Sequence, residues 1–229
     1  MKTVIIGDVH GCVESLTIIL NIFSISNTAS RLILLGDLFD RGPDSWEVFQ
    51  TVKHLQETYQ DHFVLLRGNH EDYLLQEKLP FSMELVWNRV GKQATVKSFK
   101  KHNEKMKDAA PWIAEHSVLY YKGEDFQCVH AGIKIDPPEL NDTYTLIHDH
   151  DVVKQNRYKG PLTITGHIAL EEPTYFAGAG ETPQILPYNT RMPLPEKGII
   201  CIDTGCGKGG KLTAMVIEDG YYTLYCAPQ

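Results

Sequence analysis

The chain has 229 residues, 42% of them hydrophobic and 22% charged, a balance that fits a globular protein with one sizeable core and excludes a fibrous or disordered one. A formal charge of −7 argues against nonspecific nucleic-acid binding, which depends on surface Lys and Arg, and no apolar run approaches the roughly 20 residues of a membrane span. Five cysteines without a C-x-x-C spacing indicate neither a disulfide framework nor a thiolate zinc site, and they read as small buried residues. The start of the chain lacks a secretory apolar region, so the expected location is the cytoplasm, with no nucleic-acid or membrane partner.

In chain order, Thr3-Val4-Ile5-Ile6 is a short β-branched run that stops on Gly7-Asp8-Val9-His10-Gly11. The spacing of Val13, Leu16, Ile19, Leu20 and Phe23 then predicts a helix over residues 13–25. A second apolar strand over 31–35 ends at Gly36-Asp37 and precedes a helix over 46–55. A third, over 62–66, ends at Arg67-Gly68-Asn69-His70. Continuously apolar strands alternating with helices predict parallel pairing in an α/β sheet buried on both faces, with sites beyond the carboxyl ends of the strands. Residues 71–114 turn polar and aromatic and read as a helical cap inserted after the third strand. The second half is richer in strands, expected over 117–121, 125–129, 162–165, 198–202, 212–217 and 221–225. The Pro- and Gly-rich stretch 171–197 is expected to be surface loop, and Asp219-Gly220 a hairpin turn.

Asp8 and His10, Asp37 and Asp40, Asn69 and His70, then His130 and His167 all follow apolar strands. Carboxylate, imidazole and amide groups are expensive to bury there unless something compensates, and a metal does. Mixed oxygen and nitrogen donors without cysteine suit Mn, Fe or Zn. There are too many donors for one catalytic ion, but the number fits two ions about 3.5–4 Å apart that share one carboxylate.

"GDVHG" at 7–11, "GDLFDRG" at 36–42, "RGNHE" at 67–71, "HAG" at 130–132 and "GH" at 166–167 closely resemble, in order, the bacterial phosphoprotein phosphatase family of calcineurin-like metallophosphoesterases. The resemblance implies an α/β sandwich of two mixed sheets flanked by helices, one domain over residues 1–229 with a helical insertion at 71–114. It implies two divalent ions, Mn2+ with Fe or Zn as alternatives: Asp8, His10 and Asp37 would hold the first, and Asp37, Asn69, His130 and His167 the second. A hydroxide bridging the ions would attack phosphorus directly, without a covalent intermediate. His70 would protonate the leaving oxygen, Asp40 would orient His70, and Arg41 and Arg67 would grip the phosphoryl oxygens.

The implied substrates are phosphomonoesters, with phosphoserine, phosphothreonine or phosphotyrosine in proteins as first reading and small phosphoesters beside them. Symmetrical bis(5′-nucleosyl)-tetraphosphate hydrolysis is the alternative, and a metal-binding regulator without catalysis is a further one. The retained His70 and Asp40 speak against the regulator. One departure stands out. Related enzymes carry Trp-x-Arg between the last two motifs, whereas residues 146–151 here read Leu-Ile-His-Asp-His-Asp, with His150 in the arginine's place and Arg157 as the other candidate cation. His54, His62, His102 and His116 read as surface or packing residues. The segment 201–212 lacks the order of a P-loop and reads as a turn between late strands.

Overall fold

A computed structural model describes residues 2–23, 30–155 and 157–229. Three strands joined by two helices come first: β1 (Lys2–Ile6), α1 (Val13–Phe23), β2 (Ser30–Leu34), α2 (Ser45–Tyr59) and β3 (Phe63–Leu66). Their strands pair in parallel, Ile5 opposite Ile33 and Ile33 opposite Val64, as the unbroken apolar runs predict. The last two residues of the predicted first helix, 24 and 25, lie outside the described residues. α2 runs past its predicted end at residue 55, because Tyr59 also packs on the core.

Between β3 and the next strand the chain is helical: α3 (Asn69–Leu75), α4 (Phe81–Arg89), α5 (Lys92–Lys101) and α6 (Ala110–His116). The single strand predicted over 117–121 is two. β4 (Ser117–Val118) adds to β3, and after Leu119 the chain crosses to a second sheet as β5 (Tyr120–Lys122), paired with β6 (Gln127–Val129). Burial drives the split. Leu119 and Tyr120 pack on the outer cluster of the second sheet, whereas Tyr121 packs between the sheets. The chain continues through α7 (Thr143–His148), α8 (Asp151–Gln155) and β7 (Thr163–Thr165).

The stretch predicted as surface loop contains β8 (Thr174–Phe176), β9 (Gln184–Ile185) and β10 (Met192–Pro193). Each is too short to show alternation, and β8 and β10 draw their pairing from later strands. After it come β11 (Ile199–Cys201), β12 (Asp203–Thr204), β13 (Lys211–Glu218) and β14 (Tyr221–Pro228). Asp219 and Gly220, at φ 52° and 75°, make the β13–β14 hairpin turn, where both central residues need positive φ.

The first sheet runs β10-β14-β13-β1-β2-β3-β4, with β12 also on β13, and the second runs β5-β6-β7-β11-β8-β9. Alternation along each strand divides the core. Ile5, Ile33, Ile164, Ile200 and Met215 fill the space between the sheets, and Val4, Ile6, Leu32 and Leu34 face α1 and α2. Val129, Ile199 and Cys201 pack with Leu146, Ile147 and Val153 outside the second sheet. This is an α/β sandwich of two mixed sheets flanked by helices. Among the described residues no helix is long and apolar enough to cross a membrane.

Candidate active site

The carboxyl ends of β1, β2, β3, β6 and β7 converge on one point at the edge of the sandwich. Asp8 and His10 follow β1, Asp37 and Asp40 follow β2, Asn69 and His70 open α3, His130 follows β6 and His167 follows β7. All eight are buried. Backbone strain concentrates here as well. Of nine non-glycine residues with positive φ among the described residues, five are His10, Asp37, Asp40, Arg41 and His167, each costing on the order of 1 kcal/mol that surrounding packing must supply. Gly166 is required by close approach, since a Cβ there would collide with Asp8 Oδ1.

Asp37 lies at the centre. Its Oδ2 is 3.4 Å from His10 Nε2 and 3.7 Å from His70 Nε2, while Oδ1 is 3.4 Å from His130 Nε2 and accepts the His70 backbone N–H at 3.1 Å. Two donor groups share it: His10, Asp37 and His70, and Asp37, His130 and His167, with ligand atoms inside each group within 4.8 Å of one another. Asn69 Oδ1 joins the second group, 2.9 Å from His167 Nδ1 and 3.3 Å from His130 Nε2. Asp8 lies outside both groups. Its Oδ2 accepts the His167 N–H at 2.9 Å, and its Oδ1 is buried without a hydrogen-bond partner.

These donors fit divalent ions. His10 Nδ1 donates to the Phe39 carbonyl at 2.8 Å and His130 Nδ1 to the Leu35 carbonyl at 2.7 Å, which fixes each tautomer and turns the Nε2 lone pair inward. Burial lowers the pKa of His10, His130 and His167, so these imidazoles stay neutral, the form that binds metal. Burial alone would raise the Asp37 carboxyl, but whenever the imidazoles around it, His130 and His70 first, carry a proton they hold it well below the usual range. Burial and the neighbouring Asp203 and Asp37 push Asp8 well up, and His167 Nε2 is buried without a partner. Unpartnered buried donors and acceptors around one carboxylate mark a place for cations.

A second cluster surrounds His70. Its Nδ1 lies 2.6 Å from Asp40 Oδ2, which also accepts Trp87 Nε1–H at 2.6 Å, while Asp40 Oδ1 accepts the Thr95 hydroxyl at 2.6 Å. Burial would lower the His70 pKa, yet Asp37 and Asp40 raise it above the ordinary value. Arg41 Nη1 contacts His10 Nε2, and Arg41 Nη2 is 3.5 Å from His70 Nε2. Arg67 Nε donates to Ser117 Oγ at 3.2 Å, which ties its stem to β4 and leaves its two Nη groups for other acceptors.

Four contributors were not legible beforehand. Trp87 and Thr95 come from α4 and α5, and nothing in helical periodicity says that one face of these helices reaches a carboxylate. Glu71 ended a recognised motif without a role; it accepts the backbone N–H groups of Asp37 (2.7 Å), Leu38 (2.8 Å) and Gly68 (3.0 Å), binding the loops after β2 and β3 together. Asp203 lay in a segment read as a turn; it is buried, acts on Asp8 and leaves Oδ2 unpartnered. A carboxylate at the end of the apolar run 199–202 was the available signal. His150 lies over His167, with ring centroids 4.3 Å apart, whereas Arg157 lines a separate cleft with Lys134 and Tyr158.

A family profile described as Calcineurin-like phosphoesterase matches residues 1–197. The chain belongs to that family. The calcineurin-like chain is 31% identical over 162 residues to a symmetrical bis(5′-nucleosyl)-tetraphosphatase of Coxiella burnetii, a match that covers 70% of this chain and 50% of the relative. It thus spans about half the length of that relative. Two solved structures resemble it in fold. A metallophosphoesterase from Sphaerobacter thermophilus has a TM-score of 0.63 at 14% identity, covering 99% of this chain and 88% of its own. A cold-active protein-tyrosine phosphatase of a psychrophilic Shewanella has a TM-score of 0.62 at 17% identity, covering 99% and 80%.

Proposed function

We propose that the chain is a metal-dependent phosphoric ester hydrolase that splits dinucleoside tetraphosphates symmetrically into two nucleoside diphosphates. The observation that carries the reaction class is the Asp37 carboxylate, whose two oxygens face imidazoles on opposite sides. Substrate choice follows the tetraphosphatases matched at about a third identity. The phosphoprotein reading is supported only by likeness in fold to phosphatases under 25% identical, and it becomes an outcome of the test.

His10 and Asp37 would hold one divalent ion with Asp8, whose Oδ1 is buried without a partner, leaving His70 of the first donor group to its bond with Asp40, and Asp37, Asn69, His130 and His167 would hold the other. When bound, such ions supply Lewis-acid polarisation of a phosphoryl oxygen and a water of lowered pKa. This chain's residues do the rest. Arg41 stabilises the negative charge that builds on the phosphoryl oxygens. His70, protonated at Nδ1 against Asp40, presents Nε2 toward the centre, where it gives a proton to the departing oxygen as the phosphorus–oxygen bond breaks. Asp40 keeps that imidazole oriented and charged, and Trp87 and Thr95 keep Asp40 in place.

Product analysis tests the reading. With added divalent cation, diadenosine tetraphosphate should yield ADP alone, faster than phosphoserine or phosphotyrosine peptides release phosphate. AMP with ATP as products, or faster turnover of the peptides, would overturn it.

A further inference from the structure

The glycine-rich segment after β12, Gly205-Cys206-Gly207-Lys208-Gly209-Gly210, links β12 to β13, and it is pressed against the site. The Lys208 and Gly210 N–H groups both donate to the Gly205 carbonyl, at 2.9 and 3.0 Å, and Asp203 Oδ1 accepts the Gly205 N–H at 2.9 Å. Beside the first motif, the buried Cys12 thiol donates to the His10 carbonyl at 3.5 Å, and the buried Cys206 thiol acts on it. Gly207 has φ 82°, and a Cβ there would stand 2.6 Å from His10 Cβ and 3.0 Å from Arg41 Cβ. Only a glycine lets the loop lie this close, and the next side chain is Lys208.

Lys208 is exposed. Its ammonium has no ion-pair partner among the described residues. The charges that act on it belong to the site. After partial desolvation, Arg41 lowers its pKa further, opposed by Asp203, Asp8 and Asp37. Two cations held together at the rim of a site repel each other, and a polyanion arriving from solution relieves that repulsion.

We propose that Lys208 is a specificity residue that, together with Arg41, binds a phosphate beyond the one being cleaved and so favours polyphosphate esters over phosphomonoesters. The inference rests on the phosphoric-ester reading of the site. Arg41 also serves the reacting phosphate beside the donor groups around Asp37, and Lys208, carried by the loop that Gly207 lays against Arg41, adds a cation on its outer side for the next phosphate. A compact ammonium on a flexible stem suits this role, since a polyphosphate chain presents point charges at variable positions.

Titration calorimetry in the presence of manganese, with inorganic tripolyphosphate and with orthophosphate as probes, separates the possibilities. Lys208→Ala should weaken tripolyphosphate binding about tenfold more than orthophosphate binding, the worth of one charge-assisted hydrogen bond, and Lys208→Arg should restore most of it. In turnover, kcat/KM for diadenosine tetraphosphate should fall more than that for p-nitrophenyl phosphate, through KM. Equal weakening for both probes, or no weakening, overturns the role of Lys208. A wild-type protein that leaves diadenosine tetraphosphate intact refutes the proposed substrate instead, and the calorimetric difference still decides Lys208.

Discussion

Replacing Asp40 by asparagine changes the charge beside His70 while keeping the shape that Trp87 and Thr95 pack around. The remaining amide oxygen can still accept from His70 Nδ1 and Trp87 Nε1, both at 2.6 Å in the native protein, and the amide nitrogen can donate to Thr95 Oγ1. What is lost is the ionic part of the His70 bond. A hydrogen bond to a charged group contributes about 1.5–3 kcal/mol and a neutral one about 0.5–1.5, so the difference is about 1–2 kcal/mol. At 1.36 kcal/mol per unit, the His70 pKa should drop by about one unit. Asp37 and Asp40 raise that pKa in the native protein, so the variant loses its protonated acid at lower pH and the alkaline limb of kcat moves down. The assay compares phenyl phosphate with p-nitrophenyl phosphate. The nitrophenolate leaves with little need of a proton, whereas phenolate does not. Asp40→Asn should cost about tenfold in kcat with phenyl phosphate above the His70 pKa, the rate equivalent of 1–2 kcal/mol, and clearly less with the nitro ester. Equal losses on both esters, with an unmoved alkaline limb, would refute His70 as proton donor and Asp40 as its partner.

Gly166→Ala forces a Cβ into Asp8 Oδ1. The protein should stay folded by circular dichroism but retain less divalent metal per chain after loading and desalting, and native metal content would show that Asp8 is not needed to hold an ion. Glu71→Gln keeps the size of a side chain that accepts three backbone N–H groups but sets an amide N–H against one of them. Urea unfolding should show a loss of about 1–3 kcal/mol, the cost of a buried unsatisfied donor, and a change within experimental error would show that the two loops hold together without it.

The expected substrate moved between sequence and comparison. Both readings were available from the same motifs, because those motifs describe how phosphorus is attacked and not what is attached to it. Arg67 shows a similar limit: its place in "RGNHE" suggested a phosphate clamp but said nothing of the Ser117 hydroxyl of β4 that takes its Nε. A partner 50 residues away cannot be read from a five-residue motif.

By itself the sequence determined the local things: apolar runs that become strands buried on both faces, the helices between them, the Asp219-Gly220 turn, and polar residues placed just beyond strand ends. Each follows from spacing within a few residues, where backbone geometry and burial act directly. Tertiary structure decided the rest. It split residues 117–121 between two sheets, found pairing for strands of two or three residues, set Trp87 and Thr95 on Asp40 and Asp203 beside Asp8, and laid Gly207 against His10. Those contacts join residues up to about two hundred positions apart, so they depend on which strands lie side by side, and no local pattern encodes that order.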